Sequence, residues 1–275
     1  MSVWPILLLL LAQTSIPADV LTAYEPGHTT IMVEGAEATF PYRLYSPEEA
    51  SAEDPLPLVI FLHGMGEMGD DNKKQLKRLP TQMLTEPHLM RHKAFVLAPQ
   101  CTDGFWSPIS RRGGGSLDDR QPTPSMQAVI KKIRELAQNT AIDRSRIYVT
   151  GLSMGGFGSW DLAARHPDWF AAVVPICGGG SAATAETLAE SDLPIWNFHG
   201  DRDSVVDIKY SRRIVNAIRD AGGQVGHTEL RGIGHNAWNI AYGPHGGMEW
   251  MFAQRRPEPA EIETNKEMIG APSKN

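Results

Sequence analysis

Cysteine is scarce: the 275 residues contain two, Cys101 and Cys177. A dense disulfide scaffold is thereby excluded, and one bridge is the most that can form. Each cysteine follows an apolar, strand-like run. Two buried thiols at strand ends are therefore the expectation, set against a single disulfide whose geometry spacing cannot test. Ligand patterns are missing as well. No close Cys–Cys pair, no His-x-x-x-His and no acidic calcium-type loop occurs, so no metal is expected. Phosphate-loop and dinucleotide fingerprints do not occur either, and no cofactor is expected. Basic stripes are lacking: 26 Lys and Arg are scattered against 32 Asp and Glu, a net charge of −6, which gives no reason to expect nucleic acid as a partner. The apolar run at residues 6–11 falls short of the ~18 residues a membrane span requires. No internal repeat is visible.

What is present suits one globular domain. Hydrophobic residues make up 41% of the chain and charged residues 21%, which supports a sizeable core. The run at 6–11 is followed by small and turn-forming residues up to Ala18. Residues 1–18 read as a signal peptide, although no Lys or Arg precedes the run, and the chain is expected to be secreted or periplasmic. Residues 255–275 are polar, contain Pro257, Pro259 and Pro272, and read as a disordered tail. The folded domain is expected over 28–254. Oligomeric state is not legible.

Inside that domain, short apolar runs alternate with helix-patterned segments. Residues 30–34 and 38–45 form an opening pair of strands turning at Gly35. The runs 58–62, 95–98, 147–149, 171–176 and 195–198 are of the kind buried on both faces of a parallel sheet, and 226–230 is the last strand. Residues 70–91 carry Leu76, Leu79, Met83 and Leu84 at helical spacing, interrupted by Pro80. Thr123 as N-cap and Pro124 at the first helical position open a helix with an apolar stripe from Met126 to Ala137. Further helices are expected over 159–165, 208–221 and 247–254. The long segment 100–122, centred on Gly113-Gly114-Gly115, reads as a functional or mobile loop. Such alternation predicts an α/β fold whose largely parallel sheet binds ligand outside the carboxyl ends of its strands.

Gly151-Leu152-Ser153-Met154-Gly155 lies at one such end, between an apolar strand and a helix. Gly-x-Ser-x-Gly in that context is a nucleophile elbow, a tight turn that lifts a serine hydroxyl above the sheet. Gly151 and Gly155 leave room for the neighbouring strand and helix. The Met154 N–H, at the helix N-terminus, faces the place where an oxyanion would form. A second donor is expected from the glycine-rich loop after 58–62, at Met65 or Gly64. Serine needs an adjacent base, and the base needs an acid to hold its tautomer. In chain order the acid comes next and histidine last. Asp201, Asp203 and Asp207 follow one strand, and His235 and His245 follow the last. His235, directly after its strand, is preferred as base. His227 reads as structural, and His199 as packing or hydrogen-bonding beneath the site. Glu67 reads as a brace for its loop.

Four motifs carry a family resemblance: Phe61-Leu62-His63-Gly64-Met65-Gly66-Glu67, Gly151-Leu152-Ser153-Met154-Gly155-Gly156, His199-Gly200-Asp201-Arg202-Asp203-Ser204-Val205-Val206 and Gly234-His235. In them the chain resembles the α/β-hydrolase superfamily, and within it the secreted esterases related to polyhydroxybutyrate depolymerases, feruloyl esterases and prolyl-oligopeptidase-like hydrolases. The resemblance spans 30–254. It implies a mostly parallel sheet of about eight strands flanked by helices, with no large cap domain. It also implies Ser153 as nucleophile, Asp203 as acid, His235 as base, and the N–H groups of Met65 and Met154 as the oxyanion hole. The loop containing Trp106 is similar to one bordering the substrate cleft, and Trp238 is the second aromatic candidate for it. The implied activity is carboxylic ester hydrolysis through an acyl-serine, on a small or polymer-borne ester such as a feruloyl or acetyl ester of polysaccharide. A peptidase of prolyl-oligopeptidase type and a non-catalytic binding protein are the alternatives.

Overall fold

In the computed structural model, residues 15–102, 104–109 and 121–263 are described. The apolar run at 6–11, the Gly113-Gly114-Gly115 segment and the end of the chain from 264 lie outside them. The core is one sheet of eight strands: β1 (Glu25–Val33), β2 (Ala36–Tyr45), β3 (Leu56–Leu62), β4 (Phe95–Pro99), β5 (Ile142–Leu152), β6 (Ala172–Ile176), β7 (Trp196–Gly200) and β8 (Gly226–Leu230). Their order is β1-β2-β4-β3-β5-β6-β7-β8. β1 and β2 pair antiparallel, as do β2 and β4, and every other pairing is parallel. The β1–β2 hairpin turns on Glu34 and Gly35 with φ of 50° and 84°. Two positive φ values give the turn whose twist matches that of the strands.

Helices cover both faces because both faces are apolar. Along β3, Leu58, Ile60 and Leu62 point into one core, and Val59 and Phe61 into the other. The first core is closed by α4 (Pro124–Leu136), α5 (Met154–Arg165), α6 (Ala185–Glu190) and α7 (Lys209–Asp220). The second is closed by α1 (Ala18–Ala23), α2 (Leu79–Thr85), α3 (Pro87–Met90), α8 (Trp238–Ala241) and α9 (Gly247–Ala253). Thr123 caps α4 as expected, its hydroxyl accepting the Met126 N–H at 3.2 Å. None of the described helices is long and apolar enough to cross a membrane.

Several expectations need correction. Pro80 does not interrupt a helix. It stands in the first turn of α2, where its missing N–H costs nothing. The fold begins before residue 28, since α1 buries Val20 and is followed by the buried Tyr24. It also continues past 254. Arg256 and Ala260 donate backbone hydrogen bonds to Ser145 and Arg144, and Ala260 and Ile262 are buried in the first core. Their two-residue spacing is strand-like, and the flanking prolines hid it. The cysteines, by contrast, are the two buried thiols expected: no disulfide joins Cys101 to Cys177. They follow β4 and β6, which β3 and β5 separate in the sheet. Three strand spacings are about 14 Å, twice the reach of a disulfide.

Candidate active site

β3 sits where the chain changes direction across the sheet, with β4 on one side and β5 on the other. Segments leaving β3 and β5 diverge there and open a crevice above the strand ends. Ser153 stands at its floor, with φ 55° and ψ −116°. An L-residue adopts that conformation only under external constraint. The constraint is close packing. A Cβ on Gly155 would lie 1.8 Å from Leu62 O, and one on Gly151 would lie 2.5 Å from Gly155 O. The helix therefore starts at Met154, five residues before the sequence pattern suggests. Glycines at 155, 156 and 158 hide its beginning, and tight packing on β3 and β6 requires them there.

The structure brings Ser153, His235 and Asp203 together. His235 Nε2 lies 2.9 Å from Ser153 Oγ, and His235 Nδ1 lies 2.7 Å from Asp203 Oδ2. Asp203 Oδ1 accepts the Val205 and Val206 N–H groups at 2.8 and 2.9 Å. That side chain is fully buried, whereas the His235 ring keeps 20% exposure. The carboxylate is thus saturated with donors and aimed at the imidazole, whose other nitrogen faces the hydroxyl. Asp201 instead braces the last loop by accepting the Gly232 N–H, and Asp207 pairs with Lys209 on the surface. His245 is exposed and does not line the crevice. His227 binds Asn197 Oδ1 at 2.8 Å within the sheet.

The N–H groups of Met65 and Met154 have no acceptor among the described residues. Both residues border the crevice with Ser153 and His235. The loop carrying Met65 is held from below. His63 Nδ1 lies 2.6 Å from Gly64 O, and its Nε2 accepts the Cys101 N–H at 2.9 Å. Burial pushes the His63 pKa down to about 4, so the ring is a neutral spacer. Gln100 completes the clamp. Its Oε1 accepts the Asn72 N–H at 2.7 Å, and its Nε2 donates to Glu67 O at 3.0 Å. In the sequence Gln100 stands only within Pro99-Gln100-Cys101, which with Trp106 resembles a segment bordering the substrate cleft; nothing there marks its amide as a clamp.

Trp106 is not in the cleft. The indole is fully buried, donates to His63 O at 3.0 Å and stands edge-on to the His63 ring at 5.0 Å. Its apolar bulk fills the first core beneath the loop carrying Met65. Trp238 does line the cleft, edge-on to His235 at 5.3 Å.

Residues 48–241 match the family described as Phospholipase/Carboxylesterase. The chain belongs to that family. Among solved structures it resembles a thermostable esterase, at 36% identity and a TM-score of 0.74 over 86% of this chain and 64% of that one. It is 38% identical over 109 residues to poly(3-hydroxyalkanoate) depolymerase C of Paucimonas lemoignei, covering 36% of this chain and 24% of that protein. It is 26% identical to the bifunctional acetylxylan esterase/xylanase XynS20E of Neocallimastix patriciarum, covering 64% of this chain and 23% of that protein. The chain therefore spans about a quarter of the length of these two relatives.

Across this phospholipase/carboxylesterase-family crevice runs a cavity of about 250 Å³. Its rim is apolar: Met65, Phe105 and Val205 line it and remain 47%, 40% and 46% exposed. Arg78 lies over the Trp238 ring at 5.5 Å on one wall. Glu67 lies beside it, and burial raises its carboxyl pKa. One trio of possible metal-ligand atoms occurs among the described residues, from Cys177, Asp203 and His235, all within 4.8 Å of one another. Two of the three are hydrogen-bonded to each other, and burial pushes the Cys177 thiol far up, so it stays protonated. That donor set suits proton handling better than metal binding.

Proposed function

We propose that this chain is a serine carboxylic ester hydrolase working through an acyl-enzyme. The observation that carries the reading is the unbroken line of hydrogen bonds Ser153 Oγ–His235–Asp203, in a crevice also lined by Met65 and Met154, whose N–H groups have no acceptor among the described residues. His235 Nε2 takes the Ser153 proton as Oγ attacks the ester carbonyl. The carbonyl oxygen becomes an oxyanion between the Met65 and Met154 N–H groups, at the positive end of α5. The imidazolium, held by Asp203, passes its proton to the leaving alcohol. Water then attacks the acyl-serine with His235 again as base, and acid product leaves.

Substrate size follows from the rim. Exposed apolar side chains around the cavity suit an acyl ester carried on a bulky or polymeric molecule, with Trp238 available to stack on a ring. Feruloyl and acetyl esters of polysaccharide fit that description. The run at 6–11 supports export, which N-terminal sequencing of the mature protein would test near Ala18.

Purified Ser153→Ala is expected to keep the fold and lose turnover on nitrophenyl esters by a factor on the order of 10⁴ or more. The wild type should label with a fluorophosphonate and the variant should not. Near-normal turnover in the variant would sink the assignment. Amide turnover above ester turnover on a proline-containing panel would move the reading to a peptidase.

A further inference from the structure

Asp203 is approached by two histidines. Its Oδ2 lies 2.7 Å from His235 Nδ1 and 3.2 Å from His199 Nε2. His199 belongs to β7, and its side chain is fully buried. The same Nε2 lies 2.9 Å from Val206 O. Both neighbours of that nitrogen are acceptors, so it carries a hydrogen and shares it between them. His199 Nδ1 faces Ser211 Oγ of α7 at 2.6 Å, and that hydroxyl also reaches Gly178 O at 2.6 Å. One ring thus ties the acid loop to β7, to α7 and to the segment after β6. Burial lowers its pKa, against the pull of Val206 O and Asp203.

The titratable groups facing this cluster are Asp203 and Asp207 from the loop after β7, His235 from the loop after β8, and His227 from β8. The Cys177 thiol, after β6, lies within 4.8 Å of the Asp203 and His235 atoms.

We propose that His199 is a positioning residue: through its Nε2–H it orients the Asp203 carboxylate so that Oδ2 meets His235 Nδ1 in line with Ser153. The inference rests on the serine-hydrolase reading above. Two consequences follow from removing the donor. Oδ2 loses one of its two neighbouring ring donors while Oδ1 stays held by the Val205 and Val206 N–H groups, so the carboxylate is less firmly aimed and fewer molecules hold His235 in the productive orientation. The charge on Oδ2 is also less stabilised by neighbours, so it holds the His235 imidazolium more tightly.

The test is the pH profile of kcat/KM on a nitrophenyl ester, measured on the full chain. His199→Phe keeps the ring and removes both nitrogens. It is expected to lower kcat by a factor on the order of ten to a hundred, the size of one hydrogen bond to a charged group. KM should stay within about twofold, and the acid limb should move up by about half a pH unit. His199→Gln, whose amide can donate from near the Nε2 position, should recover most of both. Should His199→Phe not fold, Ser211→Ala releases the ring from the other side, and a lowered kcat at unchanged KM is expected. A folded His199→Phe enzyme with the wild-type acid limb would overturn the proposal, as would failure of His199→Gln to recover kcat. Activity surviving Ser153→Ala would instead remove the reading beneath it.

Discussion

Trp106 and Trp238 separate two jobs that look alike in sequence. Trp106 has no surface to offer a substrate; its indole is core, locked to His63 O under the loop carrying Met65. Trp106→Ala is expected to cost about 3–5 kcal/mol, the range for emptying a buried aromatic site. A urea titration should show it as a lower midpoint. Trp238→Ala removes a ring that lines the cavity, so unfolding should change by about 1 kcal/mol while preference among acyl groups shifts. Equal stability losses in the two variants would contradict this division. The place of Ser153 on a strand-to-helix turn was legible because Gly-x-Ser-x-Gly after a strand is a short pattern with a mechanical reason. Asp203 was legible only by family pattern, since three aspartates follow the same strand. What chose among them is local backbone. Val205 and Val206 turn their N–H groups onto Asp203, and no count along the chain reveals that.

At the scale of the element, the elbow is a strained joint held by its neighbours. Ser153 keeps φ 55° and ψ −116° because it is the single residue between the end of β5 and the start of α5. Glycine adopts such angles freely. Ser153→Gly and Ser153→Ala should both be inactive, and the glycine variant should be the more stable by about 1 kcal/mol. Calorimetry of the pair reads that difference directly, with the lost hydroxyl common to both. An alanine variant as stable as the glycine one would mean that the joint stores no strain. The start of α5 was hidden in the sequence by the same glycines that make its packing possible. Residues 255–263 were hidden for the opposite reason. Prolines and charges suggested a free tail, while Ala260 and Ile262, two apart, found a place in the first core.

For the whole molecule, burial sets the response to acid. His63 and His166 are ordinarily titrated near 6.5, and burial lowers both to about 4, with Arg134 and Arg165 adding repulsion at His166. The unfolded chain takes up these protons first as the pH falls. Their contribution is therefore whole above pH 6.5 and is lost as the pH drops toward 4. At about 1.4 kcal/mol per unit, a gap of that size at a well-buried histidine is worth roughly 3 kcal/mol. Asp161 works the other way: burial raises its pKa to about 6, so it favours the folded state in mild acid. Unfolding midpoints compared at pH 7 and pH 4.5 should fall steeply for the wild type and less steeply for His166→Gln. Parallel profiles would remove His166 from the account.

The alternation of strands and helices along the chain, the burial of both sheet faces, the elbow and the Ser–acid–His sequence of the site were all determined by the chain itself. Each rests on a local rule, such as the run length of apolar residues or room for a glycine beside a serine. The meeting of Ser153, His235 and Asp203, the second histidine behind Asp203, the burial of Trp106 and the separation of the two cysteines were decided only by tertiary structure. Those depend on which strands lie side by side. In the order β4-β3-β5-β6-β7-β8, residues far apart along the chain become neighbours at one edge, and residues with similar sequence surroundings come to lie several strands apart.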